Sequence, residues 1–256
     1  GELLRINAAT GEVVRAPLST PHPPNCIAAE AAGTLLIGLC IVDQPGPGGV
    51  WRFDPATGET ETVVDDPLSG LVGLATDPAG GAYATMIRDG ASRILRIDEH
   101  GVRVAAAPLH TNAGQPHVLL DEQRRILFGA VDRLHRLDPV SGTLELLSLD
   151  PGDSLDARRI LGPLALSPSG RLLATTSGYQ QPDSLVEIDR ETGAWQVVVP
   201  ELPSGSWLLA AEPTGTWLVG RTRYGPAPVE GSILRLDLDA GTETVVSAGG
   251  LLGEMK

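Results

Sequence analysis

The sequence predicts an all-β chain folded as a β-propeller, and three observations carry that prediction. An apolar strand with a near-identical stamp recurs six times: LLRIN from residue 3, VWRFD from 50, ILRID from 94, LHRLD from 134, LVEID from 185 and ILRLD from 233. Each copy is followed within three or four residues by a glycine (Gly11, Gly58, Gly101, Gly142, Gly193, Gly241) and then by a second short strand such as ETETVV. The unit is therefore a β-hairpin closed by a tight turn. Successive copies start 47, 44, 40, 51 and 48 residues apart, the period of a four-stranded propeller blade and not of a two-helix solenoid repeat.

A second kind of hairpin lies between the stamped ones. Its copies are CIAAEAAGTLLIGLC from 26, GLATDPAGGAYATMI from 73, HVLLDEQRRILFGAV from 117, PLALSPSGRLLATTS from 163 and LLAAEPTGTWLVGRT from 208. Alternating the two kinds gives four strands per blade, A to D in chain order, with A innermost. No window keeps a 3.6-residue apolar period, so helix is expected to be nearly absent. There are six C–D hairpins but five A–B hairpins, and the chain opens on a C–D hairpin at Leu3. A six-bladed ring with one incomplete blade is the expectation. Three accounts of the missing pair stay open: a shortened chain, a partial inner strand from the tail GGLLGEMK, or five full blades with the extra hairpin covering an edge.

Composition bounds the rest. At 256 residues residues 1–256 are expected to form one domain with ample apolar surface to bury. No stretch reaches the ~20 uninterrupted apolar residues of a membrane span, and no charged-then-apolar leader opens the chain. A soluble protein is expected, and a chain that opens on Gly1 leaves its compartment open, cytoplasmic or exported with a signal peptide removed. The formal charge of −13 repels phosphate backbones and anionic lipid, which removes nucleic acid and membranes from the expected partners. Lys256 is the single lysine, so Schiff-base chemistry is excluded, and the arginine excess points to a GC-rich bacterial genome. Cys26 and Cys40 fall on neighbouring strands of one hairpin; they are read either as a cross-strand disulfide or as two thiols acting as small apolar residues.

Propeller topology sorts the loops. A–B and C–D turns share one face and are uniformly short, of the DPAG, SPSG and DPATG kind that suits tight turns. D–A and B–C connections share the other face and include PLSTPHPPN, PLHTNAGQP, SLDPGDSLDARRILG and RTRYGPAPVEG. Long loops held on a rigid ring are where a site is expected.

On that face His22 and His110 sit in D–A loops and His117 stands at the leading end of an inner strand. His110, Asn112, Gln115 and His117 form the densest polar cluster beside the expected channel. A histidine base with amides orienting a carbonyl substrate suits ester, lactone or proton-transfer chemistry. Tyr179, Trp207 and Tyr224 lie on the same face and suit stacking on a small ligand. Arg88, Arg221 and Arg223, at B–C loops, suit a carboxylate or phosphate. The stamped Asp54, Asp98, Asp138, Asp189 and Asp237, with Asn7, each precede a turn and are read as turn acceptors. The stamped arginines, two residues earlier, are expected to pair across neighbouring blades, and His135 is read as an ordinary sheet residue. Neither a nucleophile elbow, a phosphate loop, HExxH nor EF-hand spacing is present.

The run PNCIAAEAAGTLLIG at 24–38, followed by the VWRFDPATG hairpin, resembles the six-bladed propellers of the NHL-repeat and gluconolactonase (senescence-marker-protein) superfamily. The resemblance covers most of the chain at the level of repeat pattern. It implies lactonase or related esterase activity and a calcium ion in the channel, held by glutamate, asparagine and aspartate at the leading ends of inner strands. The equivalent positions here are Asn25, Val72, Pro116, Gly162 and Trp207. Asn25 matches the ligand pattern, and Asn112 lies near a second leading end. The residues by themselves assign no metal ligand.

Two functions follow from these readings. The first is a small-molecule enzyme with His110 or His117 as base, Asn25, Asn112 and Gln115 orienting the substrate, and His22, Tyr179, Trp207, Arg221 and Tyr224 around it. The second is a non-catalytic propeller that binds a ligand or protein on the same face. A monomer is expected, with strand-completing association as the alternative.

Overall fold

The computed structural model describes the chain apart from residues 1, 8, 11, 19, 21–23, 40–48, 66–69, 89–90, 111–116, 131–132, 148–159, 179–180, 203–205, 224–229 and 249–256. Every regular element among the described residues is a strand, and no helix there is long and apolar enough to cross a membrane. The hairpin β1 (Glu2–Ile6) and β2 (Val13–Pro17) stands as a two-stranded sheet. Five antiparallel four-stranded blades follow. Blade 1 holds β3 (Pro24–Ala29), β4 (Leu35–Leu39), β5 (Gly49–Phe53) and β6 (Thr60–Val64), and blade 2 holds β7 (Leu71–Thr76), β8 (Ala82–Arg88), β9 (Ala91–Asp98) and β10 (Gly101–His110). Blade 3 comprises β11 (Val118–Leu120), β12 (Ile126–Ala130), β13 (Arg133–Leu137) and β14 (Leu144–Leu147). Blade 4 is β15 (Ile160–Leu166), β16 (Leu172–Gly178), β17 (Gln181–Ile188) and β18 (Trp195–Leu202); blade 5 is β19 (Ser206–Ala211), β20 (Trp217–Arg223), β21 (Glu230–Asp237) and β22 (Thr242–Ala248).

This is a β-propeller arrangement with five complete blades, the count of the five-bladed alternative. The extra hairpin covers a face and not an edge: Leu3, Ala16 and Leu18 pack on Leu35, Ile37, Leu39, Trp51 and Phe53 of blade 1. The second strand of a blade reads as a continuous apolar run because both its faces are covered. In β4, Leu35, Ile37 and Leu39 go to the hairpin side while Leu36 goes to the seam with blade 2.

The chain divides into two compact units, Gly1–Arg5 with Val13–Ala130 and His135–Glu145, and Ile6–Glu12 with Val131–Leu134 and Leu146–Lys256. In the first, Leu36, Val50 and Val64 of blade 1 meet Leu71, Leu74, Met86, Leu95 and Ile97 of blade 2. The other face of blade 2, with Tyr83 and Ile94, meets Val118, Ile126, Phe128 and Leu137. In the second unit, Ala165, Leu173 and Leu185 of blade 4 pack on Trp217, Val219 and Leu236 of blade 5. Each fully buried aliphatic side chain in these seams contributes about 1.5–3 kcal/mol of transfer free energy.

The turns follow the stamp. Asn7, Asp54, Asp98, Asp138, Asp189 and Asp237 each accept the backbone N–H two residues on, at 2.8–3.1 Å, and the described glycines that close these turns lie at positive φ, Gly58 at 77° for instance. The same left-handed position in the A–B turns is glycine in four blades and Arg124 in blade 3, at φ 62°. The reading of Cys26 as a small apolar residue agrees with the register: Cys26 faces Gly38 and packs on the seam of blades 1 and 2. Cys40 lies outside the described residues.

Candidate functional site

The leading ends of the inner strands share a local distortion. In β3, Pro24 faces Leu39 and Cys26 faces Gly38, which leaves Asn25 as an extra residue. Val72 is extra in β7, where Leu71 faces Met86 and Gly73 faces Thr85. In β19 the extra residue is Trp207, and in β15 the register slips across Gly162 and Pro163. A β-bulge of this kind turns a side chain out of the strand's alternation. Four of the five positions singled out in the sequence therefore fall on bulges; the fifth, Pro116, lies outside the described residues.

Within the first unit, β3 and β11 both pack beside β7. Asn25 donates its side-chain amide to the Leu71 carbonyl at 2.9 Å, so half of its amide joins blade 1 to blade 2. Its side-chain oxygen has no partner among the described residues. At the far end of the same strand pair, Thr76 donates to the Ala29 carbonyl at 2.6 Å. His117 immediately precedes β11 and is half-buried, with no hydrogen-bond partner among the described residues. Burial alone lowers its pKa from 6.5 to about 4, so the ring is neutral at pH 7.

The remaining candidates are less fully placed. His110 ends β10 opposite Ala91, Trp207 occupies the bulge of β19, and Arg221 faces Ser206; their side chains lie outside the described residues, as do those of Arg88 and Arg223. His22, Asn112, Gln115, Tyr179 and Tyr224 lie outside them entirely.

Three grooves among the described residues sit on the short-turn side. In the first unit a groove of about 570 Å³ is lined by Arg52, Glu61, Gly80, Arg96, Asp98 and His100, and another of about 640 Å³ by Glu30, Thr34, Arg52, Thr76 and Asp77. In the second unit a groove of about 580 Å³ runs along Arg171, Glu187, Arg190 and Trp195. Internal ion pairs occupy the charges there. Arg52 donates to Glu30 at 2.7 Å, Arg96 to Asp77 at 2.6 Å and Arg235 to Glu212 at 2.6 Å. These correct the expectation that stamped arginines pair across blades. Each reaches over its own second strand to the acid that ends the inner strand. In blade 4 Ser167 stands where the other blades have the acid, and Glu187 on the stamp accepts at 2.9 Å from Arg171, which precedes the second strand.

Bridges between blades come instead from Arg124, which donates to Asp77 at 3.1 and 2.8 Å, and from Arg171, which also donates to Asp239 of blade 5 at 3.2 Å. Burial by itself raises the Asp77 carboxyl pKa, and bonds from Arg124, the Ala79 N–H and Arg96 outweigh it, so the net shift is downward. Aligning the repeat copies would have exposed Arg124, which stands where other A–B turns have glycine. The same alignment marks Arg93, an arginine in an otherwise apolar row of β9.

No family model matches the chain, and no curated protein sequence matches it. Solved structures are similar in fold. TolB from Acinetobacter baumannii is 15% identical with a TM-score of 0.69, over 99% of this chain and 64% of that one, so the chain spans just under two thirds of TolB. A chain of a nidogen/laminin complex is 14% identical with a TM-score of 0.67, over 95% and 91% of the two chains. A putative 6-phosphogluconolactonase from Bacteroides uniformis is 16% identical with a TM-score of 0.65, over 97% and 78%. Likeness at these identities is likeness of the propeller scaffold, which hosts unrelated functions.

Proposed function

We propose that the protein is a small-molecule enzyme acting at the leading ends of its inner strands, by acid–base or hydrolytic chemistry on a carbonyl centre. The observation that carries this reading is His117: a desolvated ring, neutral at pH 7, without a partner among the described residues, in the same wall as the bulged Asn25. A pKa near 4 makes that ring a weak base at pH 7, because general bases work best near the operating pH. A neutral imidazole instead donates its N–H to polarise a carbonyl oxygen. His110 ends the outermost strand of blade 2, three strands from β7, so the base that takes the proton from water as the water oxygen adds to the carbonyl carbon, and returns it to the departing alkoxide, is assigned to no described side chain. The unpartnered Asn25 oxygen accepts from a substrate hydroxyl. The fold likeness to a putative 6-phosphogluconolactonase supports lactones as the first substrates to try.

Calcium does not fit the residues described. It requires six or more oxygen ligands; of the described leading-end side chains only Asn25 supplies one, and the described residues hold no cluster of three or more His, Cys, Asp or Glu. The test is hydrolysis of a panel of small lactones and aryl esters by the protein and by His117→Ala. A 10²-fold or greater loss of kcat without loss of folding supports the reading. Full activity removes His117 from the mechanism, and binding of a lactone without turnover turns the reading to a non-catalytic propeller. A monomer of 26.7 kDa is the assembly proposed with it, and a doubled mass by light scattering would replace it with strand-completing association.

A further inference from the structure

Six half-buried arginines among the described residues each hold a carboxylate: Arg52, Arg96, Arg125, Arg136, Arg171 and Arg235. Arg93 is half-buried too and holds none among the described residues, and its Nε is buried without a hydrogen-bond partner. With 32 acidic residues in the chain, scarcity of carboxylates does not explain this.

The register shows how it arises. Ile97, Leu95 and Arg93 of β9 face Ala82, Ala84 and Met86 of β8. All but Arg93 sit in the apolar seam against Val50 and Val64 of blade 1. Arg93 thus closes an apolar row at the leading end of its strand, on the side of the long connections. Leu71 faces Met86 and Met86 faces Arg93, a straight row across three strands, which places Arg93 about 10 Å from Leu71. Leu71 is the residue whose carbonyl Asn25 holds. An arginine in such a row costs the desolvation of its donors unless something supplies an acceptor.

We propose that Arg93 binds an oxyanion, so that the leading end of the seam between blades 1 and 2 takes the carboxylate or phosphate group of a small molecule. The planar guanidinium fork matches either group with two parallel N–H···O bonds, and its charge is permanent. The proposal stands on Arg93 and does not depend on the chemistry assigned to His117.

The test follows the arginine Nε–H resonances of the full chain by NMR while inorganic phosphate and acetate are titrated separately, with Arg93→Met and Arg93→Lys as variants. The expected result is a saturable, one-to-one shift of the Arg93 signal with at least one anion, weakened tenfold or more in Arg93→Met and partly retained in Arg93→Lys. A response to phosphate alone assigns a phosphate ligand, to acetate alone a carboxylate, and to both a general oxyanion site. Methionine extends the apolar row formed by Leu95 and Ile97, so folding is expected to survive; were it not to, the wild-type titration and Arg93→Lys still decide. No saturable shift with either anion, or unchanged affinity in Arg93→Met, overturns the proposal.

Discussion

His117 ties the site to a pH window of its own. Its pKa falls from 6.5 to about 4 on folding, so the unfolded chain binds the proton first as pH drops. The stability held in the neutral ring is fully present above pH 6.5, is lost between 6.5 and 4, and levels off once both states are protonated. Integrating those two values gives a loss of about 2 kcal/mol at most between pH 7 and pH 5. For a chain of this size that is about 4–8 °C in Tm. The assay is thermal or urea unfolding of the protein and of His117→Gln at pH 7, 6 and 5, comparing the differences so that the two units need not unfold as one. The variant is expected to lose that much less between pH 7 and 5. Parallel pH profiles for the two proteins would refute the reasoning, because they would mean that the ring titrates alike in the folded and unfolded chains.

The depressed carboxylates occupy a separate, lower window. Glu30, Glu187 and Glu212 are lowered chiefly by hydrogen bonds from Arg52, Arg171 and Arg235; their contribution is present above about pH 4.5 and lost as pH falls through their folded values, which urea midpoints of E30Q, E187Q and E212Q below pH 5 should show as flattened profiles. Asp77→Ala is expected to cost about 1–3 kcal/mol, because it removes the carboxylate that Arg96 and Arg124 share and leaves the half-buried Arg96 with Asp98 at 3.4 Å and the Gly80 carbonyl, whereas Arg124→Gly should stay within about 1 kcal/mol of the parent, the relieved left-handed backbone offsetting the lost bridge; urea unfolding measures both. Exchanging Arg171→Glu with Glu187→Arg should recover about 1 kcal/mol relative to the sum of the single changes in a double-mutant cycle, and strict additivity would deny that the two side chains interact. Gly38→Ala brings a Cβ onto Cys26 Sγ and within 2.8 Å of Leu71, an overpacking cost of about 1–3 kcal/mol that Cys26→Ala should partly restore.

The fold was legible because the repeat wrote itself in turn chemistry. Each stamped acid and its glycine specify a hairpin whatever the tertiary context, and the two hairpin types give four strands per blade. The blade count was harder, because an extra C–D hairpin reads the same whether it belongs to an incomplete blade or rests on the face of blade 1 through Leu3, Ala16 and Leu18. The partners of the stamped arginines were misread for a related reason: strand order says which elements are adjacent, not that Glu30, Asp77 and Glu212 end the inner strand within reach of their own blade's arginine. Asn25 and His117 stand at leading ends by their position in the repeat, but the bulge that turns Asn25 out is a matter of register, which no residue type announces. Arg93 is legible as a break in the apolar alternation of β9, but it belongs to no repeated motif.

The central claim is that a small molecule binds at the leading ends of β3, β7 and β11. The most direct measurement is a crystal structure of the protein soaked with a lactone that it turns over or binds. The account expects the ligand within hydrogen-bond distance of the His117 ring, on the side of the inner strands where Asn25 meets Leu71. A ligand seated instead in the short-turn grooves beside Arg52 and Arg96, with the His117 ring bonded to loop backbone, would contradict it.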